Sequence, residues 1–104
     1  MEVDIMYARV TTYLGAPSRF DDDVAYGRDN ILPDLERIDG FRRVLILNDR
    51  ASGRSVAVTF WESEDQLRAS EAEATRMRHD NPENIDSTVL SVERYEVALD
   101  SGMG

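Results

Sequence analysis

The alternation of apolar and polar positions along the chain predicts four β-strands. These stretches are rich in valine, threonine, leucine and aromatic residues, and glycine, proline, asparagine or aspartate bounds them, as is typical of strands. They cover residues 5–14, 41–48, 54–62 and 89–99. The turn between the two middle strands, Arg50 to Gly53, ends in a glycine that can adopt the positive φ of a tight turn. The middle strands are therefore predicted to form a β-hairpin.

Helical periodicity predicts one helix after the first strand. Over residues 18–39, apolar side chains recur at steps of three, four or their multiples and so lie on one face: Phe20, Val24, Ile31, Leu35 and Ile38. Pro33 lacks a backbone N–H and clashes with the preceding turn, so we expect a kink or break near residues 30–32. Gly40 is expected to be the C-cap of this helix.

A second helix is predicted over residues 64–78. Ser63 and Gln66 have the capping-box spacing that opens a helix. One narrow face of this helix carries Leu67, Ser70, Ala74 and Met77, and residues 80–84 are predicted to end it. The element order is βαββαβ, which indicates an α+β fold with a four-stranded antiparallel sheet. We expect a single domain over residues 1–99 and a disordered tail over residues 100–104.

The period of two divides the strands into two faces. One set is aliphatic and is expected to lie under the helices: Ala8, Val10, Val44, Ile46, Val56, Val58, Leu90 and Val92. The other set combines rings, leucines and polar groups: Tyr7, Arg9, Thr11, Tyr13, Arg43, Leu45, Leu47, Ala57, Thr59, Trp61, Ser91, Glu93 and Tyr95. Because both helices are committed to the first face, we expect a second copy of the chain to cover the other face around a twofold axis.

Two sheets that face each other in such a homodimer would enclose a barrel-like interior. Rings with a few hydrogen-bonding groups suit an aromatic small molecule. We therefore predict a substrate-binding site lined by Tyr7, Arg9, Arg43, Thr59, Trp61, Glu93 and Tyr95. The alternative is a half-polar dimer core in which Arg9 pairs with Glu93 and the tyrosine hydroxyls are satisfied internally.

Composition narrows the classes of function. At 104 residues the chain can bury one core, and its 21 acidic and 12 basic residues give a formal charge of -9. Nucleic-acid and membrane binding are not expected, because phosphate backbones and anionic lipids would be repelled. The absence of cysteine excludes disulfides and thiolate chemistry. Without a signal-peptide pattern or an apolar run of about 20 residues, a cytoplasmic protein is expected.

Four segments together resemble the antibiotic biosynthesis monooxygenase-like (ABM) group of dimeric α/β-barrel proteins. They are residues 6–11 (MYARVT), 40–43 (GFRR), 61–64 (WESE) and 92–95 (VERY), and the resemblance extends over nearly the whole chain. It implies a ferredoxin-like monomer that dimerises through sheet faces into a dimeric α/β barrel. It also implies the activity of some members, which oxidise aromatic polyketides with O2 and without metal or flavin.

Other members of this group degrade heme, and the resemblance there rests on three residues: an asparagine in the first strand, a tryptophan ending the third and a histidine on the second helix. Only the tryptophan is present here, as Trp61. The first strand carries Arg9 and threonines, and the single histidine, His79, lies at the end of the helix, off its apolar face. We therefore expect no heme and no other cofactor. His79 is expected to be solvated or to compensate the helix dipole.

The first functional hypothesis is a small homodimeric monooxygenase-like protein that acts on an aromatic or polyketide-type compound with O2. Arg9 or Arg43 would stabilise an enolate or phenolate. Trp61 would stack on the substrate or support its carbanion, and Tyr7, Tyr13 or Tyr95 would donate a hydrogen bond or relay a proton. The alternative is a non-catalytic dimeric ligand-binding or stress-associated protein with a packed interior, in which the same residues stabilise the fold.

No metal site is expected. The consecutive residues Asp21, Asp22 and Asp23 carry three carboxylates, but successive helical side chains point about 100° apart and cannot converge on one ion. These aspartates are better explained as acidic charge in the first turn of a helix.

Overall fold

Four strands form one antiparallel sheet in the computed structural model, which describes residues 5–80 and 88–101. The strands are β1 (Tyr7–Leu14), β2 (Phe41–Asp49), β3 (Arg54–Trp61) and β4 (Thr88–Glu96). Their order in the sheet is β2-β3-β1-β4, and each neighbouring pair is antiparallel. With helices between the strands in the order βαββαβ, the predicted ferredoxin-like α+β class is confirmed.

The hairpin between β2 and β3 turns at Gly53. Its φ is +81°, a conformation that L side chains rarely adopt. A Cβ at this position would lie 2.6 Å from the carbonyl oxygen of Gly15, and the N–H of Gly15 donates to the Gly53 carbonyl at 2.9 Å. The predicted role of Gly53 is confirmed, and the same contact ties the hairpin to the segment that follows β1.

The first helical segment is interrupted by a π-helical turn. A 3-10 turn (Pro17–Arg19) leads into α1 (Phe20–Tyr26), the π-helical turn (Gly27–Ile31) and α2 (Leu32–Glu36). The N–H of Leu32 donates to the carbonyl of Gly27, five residues back. Pro33 lacks an N–H and its ring clashes with the preceding turn, so a regular α-helix cannot continue there. The predicted break near residues 30–32 is confirmed.

The position of the helix cap is a correction. Because α2 ends at Glu36, Gly40 is not its C-cap. Gly40 has a φ of +85° and its carbonyl accepts from the N–H of Glu62 at 2.8 Å, so it turns the chain into β2. The helical pattern extended to residue 39 because Ile38 continues the apolar spacing.

The second helical segment consists of two helices. Ser63 caps α3 (Glu64–Ala69), since its hydroxyl accepts from the N–H of Gln66 at 3.2 Å, which confirms the predicted cap. After a break at Ser70, α4 (Glu71–Asp80) follows. The Ser70 hydroxyl donates to the carbonyl of Leu67 at 2.6 Å and so competes with regular helical bonding. Most of the predicted helix stop, the side chain of His79 and residues 102–104 of the predicted tail lie outside the described residues.

The strand register corrects the predicted faces of the sheet. Arg9 lies opposite Thr59, which in turn lies opposite Val44, and the guanidinium of Arg9 reaches the helices at Leu67 and Ser70. The covered side of the sheet therefore carries the mixed set of β1 and β3. The buried core lies on this side, between the helices and the sheet, and includes Phe20, Leu35, Trp61, Leu67 and Ala74.

The other side of the sheet, which we call the open face, is largely aliphatic. Its residues include Ala8, Val10, Leu45, Leu47, Val56, Val58, Phe60 and Tyr95. The prediction is right for β2, where Val44 and Ile46 are on the covered side, and for Val92 of β4, which pairs with Thr11. It is wrong for β1 and β3. The helices leave a cavity above the sheet in which polar side chains reach partners. For this reason, aliphatic alternation does not mark the covered side of those two strands.

Candidate functional site

A cavity of about 320 Å³ lies between the helices and the covered side of the sheet. Polar side chains of three strands contribute to its floor: Arg9, Thr11, Tyr13, Asn48, Ser55 and Thr59. Apolar side chains of the helical segments contribute to its roof: Phe20, Ile31, Leu32, Leu35, Ala74 and Met77. The volume is at the low end of the roughly 300–1,000 Å³ of small-molecule sites, and an apolar wall with a few polar groups is typical of them.

Arg9 is a buried charged group of the floor, and its side chain is only 3% exposed. Its Nη2 donates to the carbonyl of Leu67 at 3.1 Å and to Oγ of Ser70 at 2.5 Å. Its Nε lies 3.5 Å from a carboxylate oxygen of Glu71, and the guanidinium carbon lies 5.4 Å from the ring centroid of Trp61. These contacts hold a positive charge in a fixed position within a desolvated site.

Glu71 connects the buried Arg9 to the exposed Arg94. Arg94 donates to the two carboxylate oxygens of Glu71 from Nε at 2.6 Å and from Nη2 at 3.0 Å. This hydrogen bonding is the main reason that the pKa of Arg94 is raised; desolvation by burial opposes the rise, and attraction to the carboxylate adds to it. Glu71 thus balances the buried charge of Arg9 while a bidentate partner at the surface holds it.

Trp61 is fully buried beside Arg9 and is not among the described lining residues. Its Nε1 donates to Oγ1 of Thr59 at 3.0 Å, and its ring meets that of Phe41 edge-on with centroids 5.6 Å apart. Arg9 and Thr59 both line the cavity. Trp61 contacts both of them and so helps to position two groups of the cavity wall.

The structure divides the predicted site residues between the two sides of the sheet. Arg9 and Thr59 line the cavity. Tyr7 and Trp61 lie opposite each other on the same side, but the described cavity wall does not include them. These four residues are therefore brought to the covered side, and two of them contact the cavity.

The remaining three predicted residues lie on the open face. The guanidinium of Arg43 lies 4.6 Å from the ring centroid of Phe60. The hydroxyl of Tyr95 donates to Glu93 at 2.9 Å, and this hydrogen bond is the main cause that raises the pKa of Tyr95. The seven predicted residues therefore lie on two sides of the sheet, and they do not all line the cavity under the helices. The alternative pairing of Arg9 with Glu93 is also wrong, because the two side chains lie on opposite faces.

Sequence reasoning missed the polar end of the cavity next to the hairpin. Tyr13, Ser55 and Asn48 are in register across three strands, and all three line the cavity. The sequence predicts Tyr13 as one of three candidate hydrogen-bond donors, but Ser55 and Asn48 lie at strand ends, where alternation says little about burial.

The sequence predicts the helical position of Asp23 but not its contact with the cavity. It lies in the first turn of α1, as predicted, and it also lines the cavity. The available signal was its helical spacing, since Asp23 lies three residues after Phe20 and four before Gly27, and all three line the cavity.

The π-helical turn also contributes to the roof of the cavity. Gly27, Arg28 and Ile31 line the cavity, and a Cβ built on Gly27 would have no atom within 4 Å. π-Helical turns occur frequently at functional sites. Here the turn that Pro33 imposes leaves open space above the sheet.

The described residues offer no metal site and a poor match to heme. Within residues 5–80 and 88–101, no group of three or more histidine, aspartate or glutamate side chains could hold a metal ion. None of the described lining residues is a histidine, a common axial ligand of heme iron. In the described part of the chain, no helix is long and apolar enough to span a bilayer.

The helical layer and the antiparallel sheet define a ferredoxin-like domain with a cavity between its two layers. Solved structures with this fold include MhuD, a heme degrader from Mycobacterium tuberculosis with two hemes bound in its active site, at 20% identity and a TM-score of 0.73 over 92% of this chain and 99% of MhuD. SnoaB, a cofactor-independent oxygenase from Streptomyces nogalater, has 21% identity and a TM-score of 0.61 over 97% of this chain and 98% of SnoaB.

A dimeric ferredoxin-like protein from an uncultured marine organism also has this fold, with 13% identity and a TM-score of 0.69 over 94% of this chain and 100% of that protein. These neighbours share the ABM-type fold, so the resemblance to that fold is confirmed.

Two relatives from Mycobacterium tuberculosis are more similar in sequence. The uncharacterized protein Rv2558 is 37% identical over 95 residues, which is 91% of this chain and 40% of the relative. The uncharacterized protein Rv2557 is 36% identical over 94 residues, 90% of this chain and 42% of the relative. The chain thus spans about two fifths of the length of these relatives. No protein-family model matches the sequence.

Proposed function

We propose that this chain is a cofactor-independent, monooxygenase-like protein that oxidises a small aromatic or polyketide-type compound with O2. The observation that carries the proposal is the cavity with the buried guanidinium of Arg9 in its floor. The apolar roof suits fused rings, and the fixed positive charge suits an acidic oxygen on those rings. The shared fold of the oxygenase SnoaB supports an oxidative reaction without a cofactor.

The chemistry needs a substrate that becomes electron-rich when it loses a proton. With the substrate oxygen at Arg9, negative charge develops next to a guanidinium that is already in position, which lowers the barrier to deprotonation. The resulting anion then reduces O2. In a ring CH2 group, carbon bonds one atom of O2 and both hydrogens leave in water with the other atom, so that a carbonyl remains.

Of the residues predicted from the sequence, we assign Arg9 and Thr59 to direct contact with the ligand and Tyr7 and Trp61 to support. Thr59 lies opposite Arg9 in the strand register and lines the cavity, so its side chain can contact the same ring system. We propose that the site operates without heme, in agreement with the lack of histidine among the described lining residues.

We further propose that the chain forms a homodimer through the open face. Leu45, Leu47 and Tyr95 on this face are 38%, 54% and 51% exposed, and contiguous exposed apolar surface of this kind marks interaction sites. A second copy brought sheet to sheet would complete a dimeric α/β barrel, and the dimeric ferredoxin-like neighbour supports this assembly. The ligand cavities would then lie outside the barrel, one in each subunit.

The test is a titration of Trp61 fluorescence followed by oxygen uptake. Trp61 is the single tryptophan and lies beside Arg9, so a ligand at Arg9 should quench it. We expect quenching by 1,8-dihydroxy-9-anthrone and by 1-naphthol, weaker and non-saturating quenching by hemin, and oxygen uptake with the anthrone.

The outcomes separate the two hypotheses from the sequence. Quenching without oxygen uptake would favour the non-catalytic ligand-binding alternative. If none of the aromatic probes quenches Trp61 and none consumes oxygen, the proposed function is overturned.

A further inference from the structure

The cavity has two chemically different ends. Arg9 lies at one end, next to Thr59 in the strand register. Tyr13 lies four residues further along β1, about 13 Å away at the rise of a strand, in one row with Ser55 and Asn48. A ligand that fills the cavity therefore meets the buried guanidinium of Arg9 at one end and the hydrogen-bonding side chains of Tyr13, Ser55 and Asn48 at the other.

Asp23 belongs to the end opposite Arg9. Its neighbour in the same helical turn, Asp21, accepts from Arg50 of the hairpin loop at 2.7 Å, and the guanidinium of Arg50 also lies 5.8 Å from the ring centroid of Phe20. These contacts fix the first turn of α1 at the hairpin end of the sheet. Among the described residues that line the cavity, Asp23 is the only carboxylate.

We infer that Asp23 is the catalytic base, which takes the proton from the acidic ring carbon of the substrate while Arg9 holds the ring oxygen. This inference rests on the proposed function. A carboxylate and a guanidinium at opposite ends of the cavity match a ring system in which the proton leaves one edge while the charge appears on an oxygen at the other edge. Arg9 stabilises that charge, which makes a carboxylate a sufficient base.

The proton and electron balance is complete. The C–H bond breaks, its proton goes to the carboxylate of Asp23, and its electron pair delocalises onto the oxygen at Arg9. The carbanion adds O2 to form a peroxide anion, which takes the proton back from Asp23. Loss of water then removes the second hydrogen of the CH2 group and leaves the carbonyl.

The test is hydrogen exchange at the reacting carbon without oxygen. 1,8-Dihydroxy-9-anthrone is incubated anaerobically with the full chain in mildly acidic D2O, and NMR follows the loss of its ring CH2 protons. We expect the unaltered protein to accelerate exchange and Asp23→Asn to slow the catalysed exchange by about 100-fold or more. Quenching of Trp61 should stay the same, because the anthrone oxygen still reaches Arg9.

The matched control is Asp22→Asn, an exposed residue in the same helical turn that makes the same charge change outside the cavity wall. This variant should accelerate exchange of the anthrone CH2 protons as much as the unaltered protein does. Should Asp23→Asn fail to fold, Asp23→Glu, which keeps the carboxylate, and Asp23→Gln, which removes it, provide the same comparison.

The failures are distinguishable. If Asp23→Asn or Asp23→Gln accelerates proton exchange of the anthrone as the unaltered protein does, and Trp61 is still quenched, the role of Asp23 is overturned. The proposed function then still stands. Quenching and oxygen uptake without any accelerated exchange in the unaltered protein has the same meaning. Absence of both quenching and oxygen uptake overturns the proposed function, and the inference with it.

Discussion

The two sides of the sheet use their side chains in opposite ways. The covered side places a buried arginine, threonines and a tyrosine under the helices, around a cavity. The open face carries aliphatic side chains from the same strands, and several are more than a third exposed. Each side has an arginine over an aromatic ring: Arg9 lies 5.4 Å from the ring centroid of Trp61 and Arg43 lies 4.6 Å from that of Phe60.

The difference shows that polarity alone does not decide which side of a sheet is covered. Polar groups are tolerated under the helices where they have partners, as Arg9 has at Leu67 and Ser70. In the proposed dimer, a second copy of the chain covers the apolar groups of the open face. The covered side is thus suited to ligand binding and the open face to assembly, and substitutions in matched pairs can test that division.

The largest expected effect is at Trp61. Trp61→Ala should lower the free energy of unfolding by about 3–5 kcal/mol, because it empties a fully buried position. Phe60→Ala, on the open face, should lower the stability less and mainly weaken the dimer. Denaturant unfolding followed by circular dichroism at two protein concentrations measures both. If both variants lost the same free energy of unfolding at both protein concentrations, the proposed division between the covered side and the open face would be contradicted.

The next effect concerns assembly. Leu47→Asp places a carboxylate on the open face in place of a half-exposed leucine, and burial of that leucine in a dimer is worth roughly 1.5–3 kcal/mol. We expect the dimer dissociation constant to rise by about 10- to 100-fold in analytical ultracentrifugation. Ala72→Asp, an exposed position on α4, is the control and should leave assembly unchanged. A monomeric unaltered chain at micromolar concentration would refute the proposed dimer.

Ligand affinity should depend on one arginine and not on the other. Arg9→Met removes a charge-assisted contact to the ligand oxygen, which is worth about 1.5–3 kcal/mol, or roughly 10- to 100-fold in affinity. Arg43→Met removes the same charge from the open face and should bind 1,8-dihydroxy-9-anthrone normally. Trp61 fluorescence measures both affinities. A stronger loss in Arg43→Met would place the ligand on the open face.

A smaller effect is expected at the π-helical turn. Gly27 has helical φ and ψ, and a Cβ there meets no atom within 4 Å. Gly27→Ala should therefore raise the free energy of unfolding by about 0.4–1 kcal/mol. Gly40→Ala is the contrasting variant, because its φ is positive and its Cβ would lie 2.5 Å from the side chain of Gln66. In thermal unfolding, the melting temperature of Gly27→Ala should lie above that of the unaltered protein, and that of Gly40→Ala should lie below it.

The smallest effect is a pH dependence of the open face. The hydrogen bond to Glu93 raises the pKa of Tyr95 in the folded protein. The protonated phenol is the donor, so this contribution to stability is complete below the unfolded pKa of about 10 and is lost as the pH rises through the folded value. Phenolate absorbance, compared with Tyr95→Phe, should show that Glu93→Gln lowers this pKa. An unchanged titration would mean that the pair does not form in solution.

The elements were predictable because their signals are local. Gly53 sets the hairpin turn, Ser63 caps α3, and Pro33 forces the break that appears as a π-helical turn. The break at Ser70 was not predicted, since a serine within a helical pattern is common and its hydroxyl bond to Leu67 depends on the fold around it. Of the candidate site, Arg9 and Thr59 were predicted and line the cavity, whereas Ser55 and Asn48 were not predicted.

By itself, the sequence determined the order and approximate positions of the strands and helices, because hydrogen bonding, backbone freedom and capping act over a few residues. Only the tertiary structure decided which side of β1 and β3 the helices cover, and therefore that Arg9 and Asp23 share a cavity while Glu93 and Tyr95 lie outside it. Alternation along a strand defines two sides but does not say which one the helices cover. That depends on where the helices pack and on the space that they leave.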